Sequence, residues 1–324
     1  MSFSRDIADY PEGIVLAVNK PYRWTSADVI RKLKYAAIRH FGKKNLKVGH
    51  AGTLDPLATG VLLVCIGNAC KRAQELQDHD KEYIARIRFG ATTPSYDLEK
   101  EVDRRFPFSH ITADAVRAAL PAFLGEQEQV APLFSAKSVD GVRAYELARK
   151  LYKARTSSVI PSAPSVIPSE ASVSLFDAAA LETLHRSRIT ISELELLDFT
   201  EDGIGVSEPM ATLGRVRGRG PEPCAARCEW EGSRSDGSDT PMPSSNNSAS
   251  SRIHVADTSG MGLPEATIRI ACSKGTYIRA FARDLGETLG SGAHLSGLIR
   301  SRSGDYTIDQ ALSVEEALTL LQAE

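Results

Sequence analysis

The segment KVGHAGTLDPLATG, residues 47–60, holds three glycines and one proline and then runs directly into the apolar residues VLLVCIG. It is longer than a plain connection of about two to six residues between two elements. It contains a single carboxylate, Asp55, which is followed by Pro56, and His50 lies shortly upstream. Two interpretations are open. Either Asp55 caps a helix that begins with proline, or its carboxylate performs chemistry.

The composition predicts an ordinary globular protein. Of its 324 residues, 42% are hydrophobic and 25% are charged, and no apolar run approaches the ~20 residues of a membrane span. The N-terminal stretch MSFSRDIADYPEG lacks the features of a signal peptide, which predicts a cytoplasmic protein. Five scattered cysteines argue against a disulfide framework. Cys224 and Cys228 lack a second pair of ligands, so we predict no metal site.

Positive charge is concentrated just before the glycine-rich segment. Between Lys20 and His50, nine Lys or Arg residues accompany one acid, Asp28, although the net charge of the chain is −2. Such a local excess is typical of a surface that follows nucleic-acid phosphates, and a solvated helix face is the alternative. The nine cations are Lys20, Arg23, Arg31, Lys32, Lys34, Arg39, Lys43, Lys44 and Lys47.

Apolar periodicity predicts both strands and helices in the first third of the chain. Residues 14–18, IVLAV, indicate a buried strand. Ser26 is the expected N-cap of a helix that ends at Gly42. Residues 83–89 alternate between apolar and polar, which predicts a half-buried strand with Tyr83 on its inner face.

Similar signals follow in the rest of the chain. Residues 266–272 alternate again and lead into an amphipathic helix. Thr112 should open a helix that Pro121 ends, and Ser313 with Glu316 predicts a capping box for a last short helix.

Two stretches do not share this pattern, at about 155–180 and about 205–262. The first is rich in Ser and Pro and contains SVIPS twice, and the second is rich in Ser, Gly, Asn and Pro. Such compositions bury too little apolar surface to offset the entropy of ordering. We therefore predict one domain over residues 1–324, with two inserted loops.

Four separated fragments together resemble one enzyme family. They are VNKPYRWTS at 18–26, GHAGTLDPLATG at 49–60, KEY at 81–83 and CSKGTYIRAFARDLGETLGSGAH at 272–294. The chain is similar in these fragments to the TruB-type tRNA pseudouridine synthases, which isomerise uridine 55 in the T arm of tRNA. The resemblance covers about two thirds of the chain and omits both proposed insertions.

The resemblance implies roles for three reactive residues. Asp55 matches the catalytic aspartate, Tyr83 the tyrosine that stacks on the target uracil and assists proton transfer, and Arg279 the arginine that pairs with the aspartate. Each has a simpler alternative, since Asp55 could cap a helix and Tyr83 could be a core tyrosine. Arg279 lies in the first turn of its predicted helix, where a cation opposes the macrodipole unless a carboxylate partner compensates.

Four further residues are implied to bind the substrate. His50 matches the histidine that sits among the disrupted T-loop bases, and Leu298 matches an apolar residue that closes the base pocket. Lys20 and Lys274 lie inside matching motifs and are taken as substrate-binding.

The implied fold is the α+β pseudouridine synthase fold, a mixed, largely antiparallel central sheet flanked by helices with the active cleft across it. The implied activity flips the base out of its stack and needs no cofactor or metal. We expect a monomer that binds tRNA, and neither DNA nor a membrane. A catalytically silent RNA-binding protein or tRNA-folding chaperone is the rival hypothesis, and a small-molecule hydrolase that uses Asp55 is another.

Two features depart from the family pattern. Arg23 stands in KPYRWTS where glycine is common. Only about twenty residues follow Arg302, so we expect no C-terminal RNA-binding module of the PUA type.

Overall fold

The computed structural model describes residues 3–135, 138–139, 142–146, 148–150, 152, 186–202 and 253–322. The α-helices are α1 (Ser26–Phe41), α2 (Ala73–Asp78), α3 (Ala113–Ala119), α4 (Ile278–Thr288) and α5 (Val314–Leu320). The strands are β1 (Ile14–Lys20), β2 (Val48–Ala51), β3 (Ala58–Ile66), β4 (Lys81–Phe89), β5 (Ala91–Thr92), β6 (Arg104–Arg105), β7 (Gly125–Gln129), β8 (Ser138–Val139), β9 (Val142–Arg143), β10 (Ser187–Thr200), β11 (Glu265–Cys272), β12 (Ala293–Ser303) and β13 (Tyr306–Thr307).

One large mixed sheet organises the described residues. Its order is β1-β3-β12-β4-β11-β10-β7, with β2 added to β3 and β13 added to β12. Strands β3 and β12 run parallel, and the other pairs in this sheet are antiparallel. The predicted mixed, largely antiparallel sheet is confirmed. None of the helices in the described ranges combines the length and apolar character that a bilayer crossing requires.

The alternation predicted for β4 is confirmed by its burial. Ala85, Ile87 and Phe89 are fully buried in the main core, whereas Arg86 and Arg88 alternate with them and are partly exposed. Burial of the isoleucine and the phenylalanine contributes ~1.5–3 kcal/mol each. Helix α4 covers this face of the sheet, so the core lies between α4 and the middle strands.

Helix α1 forms where it was predicted, but its N-cap is Thr25 and not Ser26. The Thr25 hydroxyl accepts a hydrogen bond from the Asp28 N–H at 3.1 Å, and the Asp28 carboxylate accepts from the Thr25 N–H at 3.0 Å. This reciprocal capping box explains the shift by one residue. The Ser26 hydroxyl instead exchanges hydrogen bonds of 3.0 and 3.2 Å with the Leu54 backbone, which ties α1 to the glycine-rich segment.

The other helix boundaries follow their predicted signals. Thr112 caps α3, which ends at Ala119 before Pro121. Ser313 and Glu316 form the capping box that opens α5. These boundaries depend on contacts within one turn, which is why local sequence predicts them.

The two predicted insertions lie largely outside the described residues, which include neither 155–180 nor 205–252. The end of the second insertion, 253–262, is described and packs on the domain, with Ala256 and Thr258 buried. The organisation as one domain with two inserted loops stays a prediction.

The approach of β3 to β12 leaves no room for a side chain at Gly60. Its φ is +97°, and a Cβ there would lie 2.3 Å from the Arg300 carbonyl oxygen. Gly60→Ala should therefore lower the free energy of unfolding by about 3 kcal/mol, near the upper end of ordinary single substitutions. Gly42→Ala is the matched control, because its φ is +60° but the space around it is open. It should lose only about 1–2 kcal/mol. Equal losses in urea denaturation would contradict the role of the strand contact.

Candidate active site

Asp55 lies in a turn and not at the start of a helix. The apolar residues that follow form β3, and the Ala58 N–H donates to the Asp55 carbonyl at 3.1 Å. The neighbouring Pro56 carbonyl accepts from the Arg23 N–H at 2.9 Å and from Lys20 Nζ at 3.2 Å. The helix-cap interpretation is therefore wrong, and the carboxylate projects from a turn whose backbone is held by other groups.

A buried guanidinium joins Asp55 to a second carboxylate. Arg279 Nε lies 2.9 Å from Asp55 Oδ2 and 3.8 Å from Asp97 Oδ2. The Nε–H is not aligned for a hydrogen bond, so the shorter contact is an ion pair. The Arg279 side chain is 6% exposed and that of Asp97 is 9%, whereas 41% of the Asp55 side chain is exposed. Asp55 can therefore meet a substrate while its charge stays paired.

The sequence placed Arg279 correctly, in the first turn of α4. The start of this helix is held by Gln129, which accepts from the Tyr277 N–H at 2.8 Å and donates to the Tyr277 carbonyl at 3.2 Å. A cation at a helix N-terminus is unfavourable, and the two carboxylates offset that field.

Asp97 is a site residue whose role the sequence did not reveal. Its Oδ1 accepts from the Ser95 hydroxyl at 2.6 Å and from the Glu99 N–H at 2.9 Å. Burial raises the pKa of Asp97, and the charge of Arg279 opposes that rise. In the sequence this residue ends the turn TTPSYD, where an aspartate is ordinary turn chemistry. Only its burial beside Arg279 distinguishes it.

Tyr83 lies on β4, directly across from Arg300 on β12. Burial raises the pKa of the Tyr83 hydroxyl, and the Arg300 guanidinium opposes that rise. Arg300 is buried, and it donates to the Val61 carbonyl at 2.7 Å and to the Gly52 carbonyl at 3.1 Å. It was missed in the sequence, because neither its burial nor these distant partners leave a local signal.

Several of the predicted site residues share one cleft at the start of α4. Asp55, Tyr83, Arg279 and Leu298 all line it, and its cavity volume is about 250 Å³. The structure thus brings together five of the seven site residues predicted from the sequence, because Lys274 also lines the cleft. An open cleft of this size can admit a planar base that has left its stack.

His50 lies on the short strand β2 and is not among the residues that line this cleft. Burial lowers the pKa of its imidazole, and the nearby Arg300 charge lowers it further. Its Nδ1 is buried and has no hydrogen-bond partner among the residues that the structure describes. The lowered pKa favours a neutral ring at pH 7, and contact of His50 with the substrate stays a prediction.

Lys20 and Lys274, the two predicted substrate-binding lysines, differ in burial and in their partners. Lys20 is fully buried, and its Nζ donates to the carbonyls of Pro21, Trp24 and Pro56 at 3.0, 2.6 and 3.2 Å. Burial lowers the pKa of Lys20 to about 7. These contacts hold the turn of Asp55, so the described role of Lys20 is structural and its binding role stays a prediction. Lys274 is exposed and pairs with Asp78 at 3.0 Å.

Comparison with known proteins agrees with this geometry. The family model described as TruB family pseudouridylate synthase (N terminal domain) matches residues 39–162. The tRNA pseudouridine synthase B of Phocaeicola vulgatus is 40% identical over 307 residues, 95% of this chain and 92% of the relative. The protein of that name from Thermus thermophilus is 35% identical over 301 residues, 93% of this chain and 76% of the relative.

A solved structure supports the fold alone. The structure titled "Crystal Structure of a Cbf5-Nop10-Gar1 Complex" matches with a TM-score of 0.51 and 19% identity, and covers 96% of this chain. The match spans 55% of that longer chain.

The family model and the curated relatives together identify a pseudouridine synthase, an isomerase. The chain belongs to the TruB family of these enzymes. The resemblance drawn from four short fragments is thereby confirmed, as is the predicted fold class.

Removing the Arg279 guanidinium should show which of the two carboxylates, Asp55 or Asp97, it stabilises more. Arg279→Met should lower the free energy of unfolding by ~3–5 kcal/mol, because a buried charge loses its partner. That charge belongs to Asp97, since the Asp55 side chain is far more exposed. Adding Asp97→Asn should therefore recover more stability than adding Asp55→Asn. Urea denaturation of the three variants measures the difference, and an equal recovery would contradict this assignment.

The pH dependence of the same variants provides a second check. Burial already raises the pKa of Asp97, and loss of Arg279 removes the main opposing charge. The folded Arg279→Met protein then binds more protons than the unfolded chain above the usual carboxyl pKa of about 4. Its stability should fall as the pH rises from about 4 to 7. Adding Asp97→Asn should flatten this slope.

Proposed function

We propose that the protein isomerises uridine to pseudouridine in tRNA, at position 55 of the T arm. The observation that carries this proposal is the Asp55 carboxylate, which is paired with buried Arg279 yet opens on the cleft of Tyr83. The curated relatives bear the name tRNA pseudouridine synthase B, which supports tRNA as the substrate. The position in the T arm rests on the resemblance of the motifs.

The cleft suits a base that has been removed from its stack. Neither the glycosidic carbon nor C5 of uracil can be reached inside a helical stack, so the target nucleotide must be extruded. Tyr83 and Leu298 both line the cleft and offer an aromatic ring and an apolar side chain to a planar base. Stacking on an aromatic ring is worth ~1–3 kcal/mol per base.

The bond changes need no partner other than the protein. The C1′–N1 bond breaks, a C1′–C5 bond forms, C5 loses a proton and N1 gains one, so no electrons leave the nucleotide. The Asp55 carboxylate can act as nucleophile at the sugar or the base, or remove the 2′ proton. Because burial raises its pKa, Tyr83 enters the reaction as a neutral phenol. We propose that no cofactor takes part.

The basic segment provides a path for the RNA backbone. Lys20 is buried and Arg23 is partly buried, whereas seven cations remain exposed. The last of them immediately precedes β2, whose far end leads into the cleft at Gly52. The exposed cations are Arg31, Lys32, Lys34, Arg39, Lys43, Lys44 and Lys47.

We further propose that the protein acts in the cytoplasm as a monomer. The rival hypothesis is a catalytically silent RNA-binding protein or chaperone on the same scaffold. The ion pair of Asp55 and Arg279 argues against a protein that only binds RNA. Binding of RNA alone does not require a carboxylate paired with a buried guanidinium in the cleft.

The variant Asp55→Asn distinguishes a catalytic role of Asp55 from a structural one. The substitution keeps the size of the side chain but removes its charge and nucleophilicity, and Arg279 retains Asp97 as a partner. We expect near-normal stability, tRNA binding within about tenfold of the wild type, and no detectable pseudouridine in an unmodified tRNA transcript. Chemical mapping of pseudouridine measures the product. Turnover near the wild-type rate would exclude Asp55 as the catalytic group.

Binding of tRNA should depend strongly on salt. If about four of the exposed cations meet phosphates, log K should fall with log salt at a slope near −3. Changing Lys43, Lys44 and Lys47 together to alanine should flatten that slope without changing which uridine is modified. The matched control changes three exposed cations outside the segment, Arg105, Arg117 and Lys150. An equal effect of both triple variants would place the RNA path elsewhere.

A further inference from the structure

Arg23 has a backbone conformation that ordinarily belongs to glycine. Its φ is +64°, in the left-handed region that disfavours any residue with a Cβ. Among the described residues, Tyr96 is the one other non-glycine residue with a positive φ. Residues in such conformations persist when their surroundings determine them, and they cluster at functional sites. The contacts of Arg23 show what determines its conformation.

Two hydrogen bonds of Arg23 join distant parts of the chain. Its N–H donates to the Pro56 carbonyl at 2.9 Å, next to Asp55. Its Nη2 donates to the Ile253 carbonyl at 2.6 Å, 230 positions later in the sequence. The Nε is buried and the residue as a whole is partly buried, so the side chain lies against the protein surface. Arg23 thus fastens the turn of Asp55 to the segment at Ile253.

Residues 253–258, which we call the strap, continue from this contact across the site. The Ala256 N–H donates to the Leu98 carbonyl at 2.7 Å, one residue after the buried carboxylate. Farther along, the Thr258 hydroxyl accepts from Arg88 Nη1 at 2.8 Å, which anchors the strap on β4. The strap therefore connects the turn of the exposed carboxylate with the turn of the buried one.

We propose that Arg23 is a positioning residue for the isomerisation, which fastens the strap and so fixes the spacing between the turns of Asp55 and Asp97. Arg279 contacts both carboxylates, and it can do so only while the two turns keep that spacing. Arg23 acts through Pro56 and Ile253 and not by touching the substrate. The catalytic part of this inference rests on the proposed function.

Arg23→Gly tests the role without imposing strain. Glycine suits the left-handed backbone, and this relief offsets the lost hydrogen bond, so the thermal midpoint should stay within a few degrees of the wild type. The turnover number kcat should fall about tenfold or more, because small displacements of reacting groups are costly. KM for tRNA should change by less than about threefold. A purely structural role predicts that kcat follows stability.

Two further variants distinguish positioning from charge. Arg23→Lys keeps a donor on a long side chain and should recover part of the lost kcat. Lys43→Ala removes one exposed cation of the basic segment and should raise KM without lowering kcat. A rise in KM alone in Arg23→Gly would overturn the proposal, because it would indicate a contact with RNA.

Hydrogen exchange of residues 253–258 gives a readout that needs no substrate. Exchange should be faster in Arg23→Gly than in the wild type, since the strap loses one of its fastenings. Unchanged exchange together with wild-type kcat would overturn the proposal. If the wild-type protein forms no pseudouridine, the proposed function fails, and the exchange result still decides whether Arg23 fastens the strap.

Discussion

The guanidinium of Arg279 is the group on which the site depends. It is buried at the start of a helix, where the macrodipole is unfavourable to a cation, so it requires anionic partners close by. Asp55 and Asp97 meet this requirement from two different turns. The two carboxylates then differ in environment. Asp97 is enclosed and hydrogen-bonded within its own turn, whereas Asp55 keeps one side open to the cleft. One guanidinium thus pairs both with an enclosed carboxylate and with a carboxylate that is open to the cleft.

A second constraint sets the position of the cleft relative to the sheet. Strands β3 and β12 run parallel and come so close at Gly60 that a side chain would collide with the Arg300 backbone. The buried Arg300 side chain then bonds to the Gly52 carbonyl, which brings the glycine-rich segment beside Tyr83. Register shifts in β12 on either side of Leu298 accompany this arrangement, as is common next to active sites.

Much of the fold and part of the site could be predicted because their signals are local. The alternation of Tyr83 to Phe89 and the capping box of Ser313 and Glu316 involve neighbours along the chain. The motif around Asp55 predicted its part in the cleft, but local chemistry equally allowed a helix cap. The choice was made by β3, because the apolar residues after the turn pair with β1 and β12 and cannot form a helix.

The sequence by itself predicted several of the strands and helices, the family, and Asp55, Tyr83 and Arg279 as candidate site residues that the structure brings to one cleft. Tertiary structure decided the rest. In the sequence Asp97 is an ordinary turn residue and Lys20 is a cation predicted to bind the substrate. Both are buried in the structure, the first beside Arg279 and the second beneath the turn of Asp55. The physical reason is that burial and long-range pairing change the charge environment of a side chain, and neither is encoded in its immediate neighbours.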